Sequence, residues 1–130
     1  MKSLSFLVLC TTLMLSCQPK TAEHTEGGQK QLRHVVIFKF KDSATTADIQ
    51  KVEAAFRALP TQIKEIKSFE WGINYSPENL AQGFTHCFFL TFASEADRAV
   101  YLPHPAHKAF GAVLTPFLDK VMVLDYWAEK

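Results

Sequence analysis

The side chains best suited to chemistry lie close together in the stretch YLPHPAH at residues 101–107. His104 and His107 follow Tyr101 at three and six positions. An imidazole can accept or donate a proton near neutral pH because its unperturbed pKa is about 6.5. A phenol can donate a hydrogen bond to an oxygen that is gaining negative charge. Core packing does not require this mixture of residues, so we predict that it serves ligand binding or acid–base chemistry.

Two further histidines lie in segments that alternate with a period of two, as strands do. His34 shares a face with Phe38, and His86 shares a face with Phe88. If the two strands are neighbours, we expect the two imidazoles to lie close together. A structural interpretation stays open, in which His34 and His86 are hydrogen-bonded core residues and His104 caps a helix.

Other kinds of site have little support in the sequence. A zinc site would need three converging protein ligands, and the spacing shows neither an HExxH pattern nor paired cysteines. There is no glycine-rich phosphate loop, nucleophile elbow or carboxylate pair. Cys87 is followed by Phe88 and Phe89 in a strand pattern, which favours a small buried hydrophobe over a nucleophile.

The N-terminal region predicts export. A basic start and a short apolar run lead to Cys17, and the run is too short to span a bilayer. Residues 1–17 are typical of a lipoprotein signal peptide with Cys17 as the lipidated residue, and an ordinary signal peptidase site after Cys17 is the alternative. Residues 18–31 then form a flexible polar tether. We therefore predict a protein of the bacterial cell envelope, held to a membrane through its N-terminal lipid.

The remaining residues, 32–130, predict one domain of the α+β class. Strands are predicted over residues 33–41, 68–75, 84–92 and 119–127. One helix is predicted from Thr45 or Thr46 to Pro60, a second from Ser94 to Pro103, and a third over residues 106–114. The order βαββαβ indicates a ferredoxin-like sheet with helices on one face.

The strands carry apolar residues on both faces, although helices can cover only one. A second copy packed on the uncovered face would bury it, so we predict a homodimer. The formal net charge of +1 and the scattered lysines give no basic stripe, and no nucleic-acid partner is expected.

Several motifs, in order along the chain, resemble the stress-responsive A/B barrel (Dabb) family. They are HVVIFKFK at 34–41, IKSFEWG at 66–72, GFTH at 83–86, LTF at 90–92, YLPHPAH at 101–107 and VLDY at 123–126. The resemblance implies a ferredoxin-like protomer that forms a dimeric α+β barrel.

The family includes a plant polyketide cyclase that closes a ring by aldol chemistry, and its working pair corresponds to His107 and Tyr101. The resemblance also implies that His34, His86 and His104 line the pocket, and Trp71 is expected there as an apolar wall. No cofactor is expected. Some members hold a divalent ion through backbone carbonyls, which would here belong to Pro60, Ile63 and Ile66, a weak kind of site.

The leading hypothesis is a lipid-anchored, stress-associated dimer whose His/Tyr pocket binds a small apolar molecule. Cyclase-like or lyase-like acid–base chemistry would make it an enzyme, with His107 as the general base. The residues leave two alternatives open. One is a non-enzymatic envelope stress or scaffold protein, and the other is a haem-handling barrel related to monooxygenases.

Overall fold

A computed structural model describes residues 30–129. The predicted signal peptide, Cys17 and nearly all of the tether lie outside these residues. Four strands and four helices follow one another along the described chain. They are β1 (Leu32–Phe40), α1 (Thr46–Arg57), α2 (Leu59–Gln62), β2 (Ser68–Ile73), β3 (His86–Phe92), α3 (Glu95–Tyr101), α4 (Pro105–Leu114) and β4 (Leu118–Trp127). None of the helices within residues 30–129 is both long and apolar enough to cross a membrane.

The four strands form one antiparallel sheet in the order β2-β3-β1-β4. Strands β1 and β3 occupy the centre, and each βαβ connection places its helices on the same face. This is the ferredoxin-like arrangement that the element order predicts. β2 and β4 are the edge strands, and β4 therefore has one free edge.

Local sequence fixes where the helices begin. The Thr45 side chain accepts a hydrogen bond from the amide of Asp48 and the Asp48 carboxylate accepts from the amide of Thr45, which is a capping box. Ser94 caps α3 with a single bond, in which its side chain accepts a hydrogen bond from the amide of Asp97. The prediction that Pro60 ends the first helix is wrong in detail. α1 ends at Arg57, and Pro60 occupies the first turn of α2, where a missing amide hydrogen costs nothing.

The core lies between the sheet and the helices. Its largest fully buried side chains are aromatic: Tyr101, Phe38, Phe56, Phe88 and Phe92. Phe56 of α1 stacks on Phe88 of β3 with ring centroids 4.1 Å apart, so α1 packs on the centre of the sheet.

The opposite face of the sheet carries no helix. Apolar side chains of β4 remain about half exposed there, namely Met122, Leu124 and Tyr126. Val121 and Val123, which point to the helix side, are equally exposed because the helices lie over the other strands. β4 is thus the strand with the most uncovered apolar surface.

Candidate functional site

A cavity of about 320 Å³ lies between the sheet and the helix pair α3–α4. Its walls are mostly apolar and its few polar groups come from β1, β4 and the α3–α4 segment. The lining residues are His34, Val36, Phe38, Phe56, Tyr101, Leu102, His107, Phe110, Gly111, Leu114, Val121, Val123 and Asp125. Because β4 is half uncovered, this cavity has an opening along the edge strand.

Tyr101 provides the most unusual polar group of the cavity. The residue is 0% exposed, and its hydroxyl is the one buried side-chain polar atom without a hydrogen-bond partner among residues 30–129. Burial raises the pKa of this phenol well above its ordinary value, since the surroundings disfavour the phenolate. The hydroxyl therefore stays protonated and has a hydrogen to donate. An unsatisfied buried donor is rare in native proteins and calls for an explanation such as a ligand.

His107 lies directly against Tyr101. The two ring centroids are 4.3 Å apart. Nδ1 of His107 donates a hydrogen bond of 3.0 Å to the carbonyl oxygen of Leu102, which can only accept. In the neutral imidazole Nε2 then carries the lone pair, so His107 is held in the form that accepts a proton.

A second imidazole, that of His34 on β1, lines the cavity from the side of the sheet. The His34 ring is 5.6 Å from the Tyr101 ring, and its Nδ1 is 2.7 Å from Oδ1 of Asp125. The other carboxylate oxygen of Asp125 is 3.1 Å from a guanidinium nitrogen of Arg98 on α3. His34, Asp125 and Arg98 thus form a continuous polar chain from the cavity to the surface.

Sequence reasoning missed Asp125 and Arg98. A signal existed for Asp125, because it alternates with Val123 and Val121 on β4 and so shares their face. Its pairing with His34 requires the β1–β4 register, in which those two residues are directly opposite. Nothing in the sequence pattern distinguished Arg98 from the other charged residues of the predicted helices.

His86 lies outside this cavity, and the expectation that it lies beside His34 is wrong. In the β1–β3 register His86 is opposite Phe38, whereas His34 is opposite Leu90. Four positions along a strand correspond to about 13 Å. His86 is instead a satisfied core residue: Nε2 is 2.9 Å from a carboxylate oxygen of Glu53, and Nδ1 is 2.8 Å from the Thr85 hydroxyl.

His104 and Trp71 also lie away from the cavity. Nδ1 of His104 accepts a hydrogen bond of 3.1 Å from the amide of Ala106, so this side chain caps α4 as the structural interpretation held. Trp71 stacks on Phe88 at 5.7 Å and lies under the Arg57 guanidinium, where it closes the outer edge of the core. The sequence predicted one tyrosine and four histidines for the pocket. The structure places three of these five side chains in the cavity, namely Tyr101, His107 and His34.

The predicted carbonyl site for a divalent ion spans α2, which contains Pro60, and the turn after it, which contains Ile63 and Ile66. The Ile63 carbonyl accepts a hydrogen bond from the amide of Ile66, which uses part of its acceptor capacity. Within residues 30–129 no group of three or more histidine, cysteine, aspartate or glutamate side chains is arranged to hold a metal. Binding through Pro60, Ile63 and Ile66 stays a prediction.

The uncovered face of the sheet has a separate apolar hollow of about 440 Å³ between its centre and the 74–85 loop. Ile37, Cys87 and Met122 form part of its floor. Burial raises the pKa of the Cys87 thiol, which disfavours the reactive thiolate and agrees with a packing role.

A ferredoxin-like sheet with a histidine–tyrosine cavity under its helices defines a class of small α+β proteins. Comparison with known families identifies the family within this class. The model of the stress responsive A/B barrel domain matches residues 32–128. The chain belongs to this family.

Two relatives from plants are similar over most of their length. The stress-response A/B barrel domain-containing protein HS1 of Arabidopsis thaliana is 39% identical over 101 residues, which cover 78% of this chain and 93% of the relative. Olivetolic acid cyclase of Cannabis sativa is 32% identical over 99 residues, covering 76% of this chain and 98% of the cyclase.

Solved structures agree on the fold. The hydroxynitrile lyase from Passiflora edulis superposes with a TM-score of 0.74 at 29% identity, covering 78% of this chain and 96% of the lyase. A dimeric ferredoxin-like protein from Bacteroides fragilis gives a TM-score of 0.63 at 26% identity, covering 75% and 96% of the two chains.

Proposed function

We propose that the cavity binds a small, largely apolar carbonyl compound and catalyses proton transfer at the carbon next to the carbonyl. The observation that carries the proposal is the unpartnered Tyr101 hydroxyl, a buried donor in an apolar cavity with an imidazole against its ring. A carbonyl oxygen of a ligand would satisfy this donor. The cyclase and the hydroxynitrile lyase among the relatives support acid–base chemistry in this family.

The hydrogen bonds assign the roles. Nδ1 of His107 keeps its proton on the Leu102 carbonyl, so Nε2 takes a proton from the carbon next to the ligand carbonyl. The electron pair of that C–H bond moves onto the carbonyl oxygen, and Tyr101 donates a hydrogen bond to the resulting enolate. If the enolate carbon attacks a second carbonyl of the same molecule, a C–C bond forms and the imidazolium returns the proton to the new alkoxide. Protons and charge then balance over the cycle.

Hydrogen–deuterium exchange tests the first step without knowledge of the natural ligand. We expect the protein to accelerate exchange of the protons next to the carbonyl of 2-heptanone in D₂O, followed by proton NMR. 2-Heptanone has two carbons next to its carbonyl. At the one that exchanges faster in the wild type, His107→Ala should lower the exchange rate about a hundredfold, the usual contribution of a general base. Lys108→Ala, an exposed neighbour on α4, is the matched control and should exchange like the wild type. Equal rates for His107→Ala and wild type would overturn the assignment.

We infer that the functional unit is a homodimer formed through the uncovered face of the sheet. Half-exposed apolar side chains on that face of β4 support this, because exposed patches of this kind mark interfaces. The dimeric state of the Bacteroides fragilis protein, which shares the fold, supports it as well. The helix-side cavity of each protomer would remain separate from such an interface.

We also propose that the protein is exported and held in the bacterial envelope by lipid on Cys17, with residues 18–31 as the tether. The support is the sequence pattern alone. Radioactive palmitate supplied to cells should label the wild type and leave Cys17→Ser unlabelled. Equal labelling of the two forms would contradict the proposal.

A further inference from the structure

We propose that His34 is a second base of the cavity and that Asp125 and Arg98 are its positioning residues. The inference that His34 takes a proton from the ligand rests on the function proposed above. The inference that Asp125 and Arg98 fix the protonation form of its ring rests on geometry alone.

The hydrogen bond between His34 and Asp125 decides which ring nitrogen carries the proton. An ionised carboxylate offers only acceptors, so at 2.7 Å from Oδ1 the Nδ1 of His34 must be the donor. The neutral ring then has its lone pair on Nε2. Since imidazole tautomers are set by the hydrogen bond of the other nitrogen, Asp125 determines the chemistry available at Nε2.

Arg98 limits the orientation of the Asp125 carboxylate. A guanidinium has only N–H donors, so the carboxylate oxygen 3.1 Å away must accept. With one oxygen held by Arg98 and the other by His34, the carboxyl group cannot rotate freely. Two aromatic rings also lie against the His34 ring in edge-on contact, Phe92 at 6.0 Å and Tyr101 at 5.6 Å.

Nε2 of His34 is free for a ligand. Within the described residues this atom makes no hydrogen bond, and it is not among the fully buried atoms that lack a partner, so the cavity reaches it. The site therefore has two imidazoles against one tyrosine ring, at 4.3 and 5.6 Å, each with Nδ1 already used as a donor. A ketone whose oxygen is held by Tyr101 has two neighbouring carbons, and two bases can serve both.

The tautomer is measured by long-range ¹⁵N–¹H NMR, which distinguishes a protonated from an unprotonated ring nitrogen. In the wild type, His34 should carry its proton on Nδ1. In Asp125→Asn, Arg98 should hold the amide oxygen and turn the amide NH₂ toward His34, so the proton should move to Nε2. A wild-type proton on Nε2, or an unchanged tautomer in Asp125→Asn, would overturn the proposal.

The double variant Arg98→Met/Asp125→Asn isolates the role of Arg98. Without the guanidinium the amide can turn and present its oxygen to Nδ1, so the population of the Nδ1–H form should rise relative to Asp125→Asn. The same tautomer in both variants would remove Arg98 from the proposal. Asp119→Asn, at the separate ion pair with Lys39 on the same sheet, is the matched control and should leave His34 unchanged.

The two carbons next to the carbonyl of 2-heptanone report on the second base. His107→Ala and Asp125→Asn should change the ratio of exchange at C1 and C3 in opposite directions, each by about tenfold or more. A parallel loss at both carbons in both variants would mean a single base. A wild type that exchanges neither carbon would count against the proposed function, while the tautomer measurement would still decide the positioning by Asp125 and Arg98.

Discussion

Tyr101 and His107 have ring centroids 4.3 Å apart although they belong to different helices. In one continuous α-helix, residues six positions apart would point in directions about 120° apart and lie about 9 Å apart along the axis. The break between α3, which ends at Tyr101, and α4, which begins at Pro105, removes that constraint. The prolines of the motif therefore serve the site by bringing a phenol and an imidazole together.

Tyr101→Phe should separate stability from activity. The substitution keeps the buried ring and removes a hydroxyl that has no partner, so the free energy of unfolding should rise by about 1 kcal/mol. Exchange of 2-heptanone should fall, because the donor to the enolate oxygen is lost. Urea titration measures the first effect. Tyr75→Phe, at a 97% exposed position, should change neither quantity, and a less stable Tyr101→Phe protein would show that the hydroxyl has a partner in solution.

Alkaline pH should destabilise the protein through the same residue. The phenol of the unfolded chain titrates near its ordinary pKa of 10.0, whereas burial raises the pKa in the folded state. Above pH 10 the unfolded state then binds fewer protons, so the free energy of unfolding should fall as pH rises. Urea titrations from pH 8.5 to 11 measure this slope. The slope should be smaller in Tyr101→Phe, compared in a Cys87→Ala background because the thiol pKa is also raised. Equal slopes would contradict the prediction.

The sequence predicted the order of elements and the face of each strand, because alternation and helix caps are local signals. It could not predict which histidines meet. His34 and His86 share a face, but their separation depends on the β1–β3 register, which is set by the connections and by packing. The β1–β4 register is non-local as well, and it is what brings Asp125 to His34.

The sequence was more informative about the helix break. The two prolines of the 101–107 motif predicted it, and its position at Tyr101 and Pro105 is confirmed within two residues. Proline acts through its own ring and missing amide hydrogen, so its effect needs no knowledge of distant contacts. The role of His104 as a cap was one of two interpretations left open, and only the bond to Ala106 distinguishes them.

Loss of the His104 cap should weaken α4. Its Nδ1 accepts the amide hydrogen of Ala106 at the first turn, and removal of a capping side chain typically costs about 0.5–2 kcal/mol. His104→Ala should lose stability in this range and slow ketone exchange, since α4 carries His107. His104→Asn keeps a capping oxygen and should recover most of both losses. Full activity and stability in His104→Ala would show that the cap is dispensable.

The Glu53–His86 pair should behave as one buried unit. Glu53→Leu leaves a His86 donor without its acceptor, which should cost about 1–3 kcal/mol of unfolding free energy. In the double variant Glu53→Leu/His86→Phe neither group is left unpaired, so the combined loss should be smaller than the sum of the two single losses. Gln50→Leu on the exposed side of α1 should change stability by less than about 0.5 kcal/mol. Additive losses would mean that the two side chains do not interact.

A charge on the uncovered face of β4 should dissociate the proposed dimer. Leu124 is 49% exposed, lies opposite Val35 and points away from the helices. Leu124→Glu would bury an unpaired carboxylate in each protomer, at a cost of about 3 kcal/mol or more. The dimer dissociation constant should then rise at least about a hundredfold. Sedimentation velocity over a range of concentrations measures this shift.

Val123 offers a matched control for the Leu124 experiment. It is the adjacent residue of the same strand, it is also 49% exposed, and it points to the helix side. Val123→Glu introduces the same charge at the same exposure on the opposite face, so it should leave the dimer intact and disturb only the cavity that it lines. If Val123→Glu dissociated the dimer and Leu124→Glu did not, the interface would lie over the cavity. Each partner would then be close enough to close the other's site, and the separate cavities proposed here would be wrong.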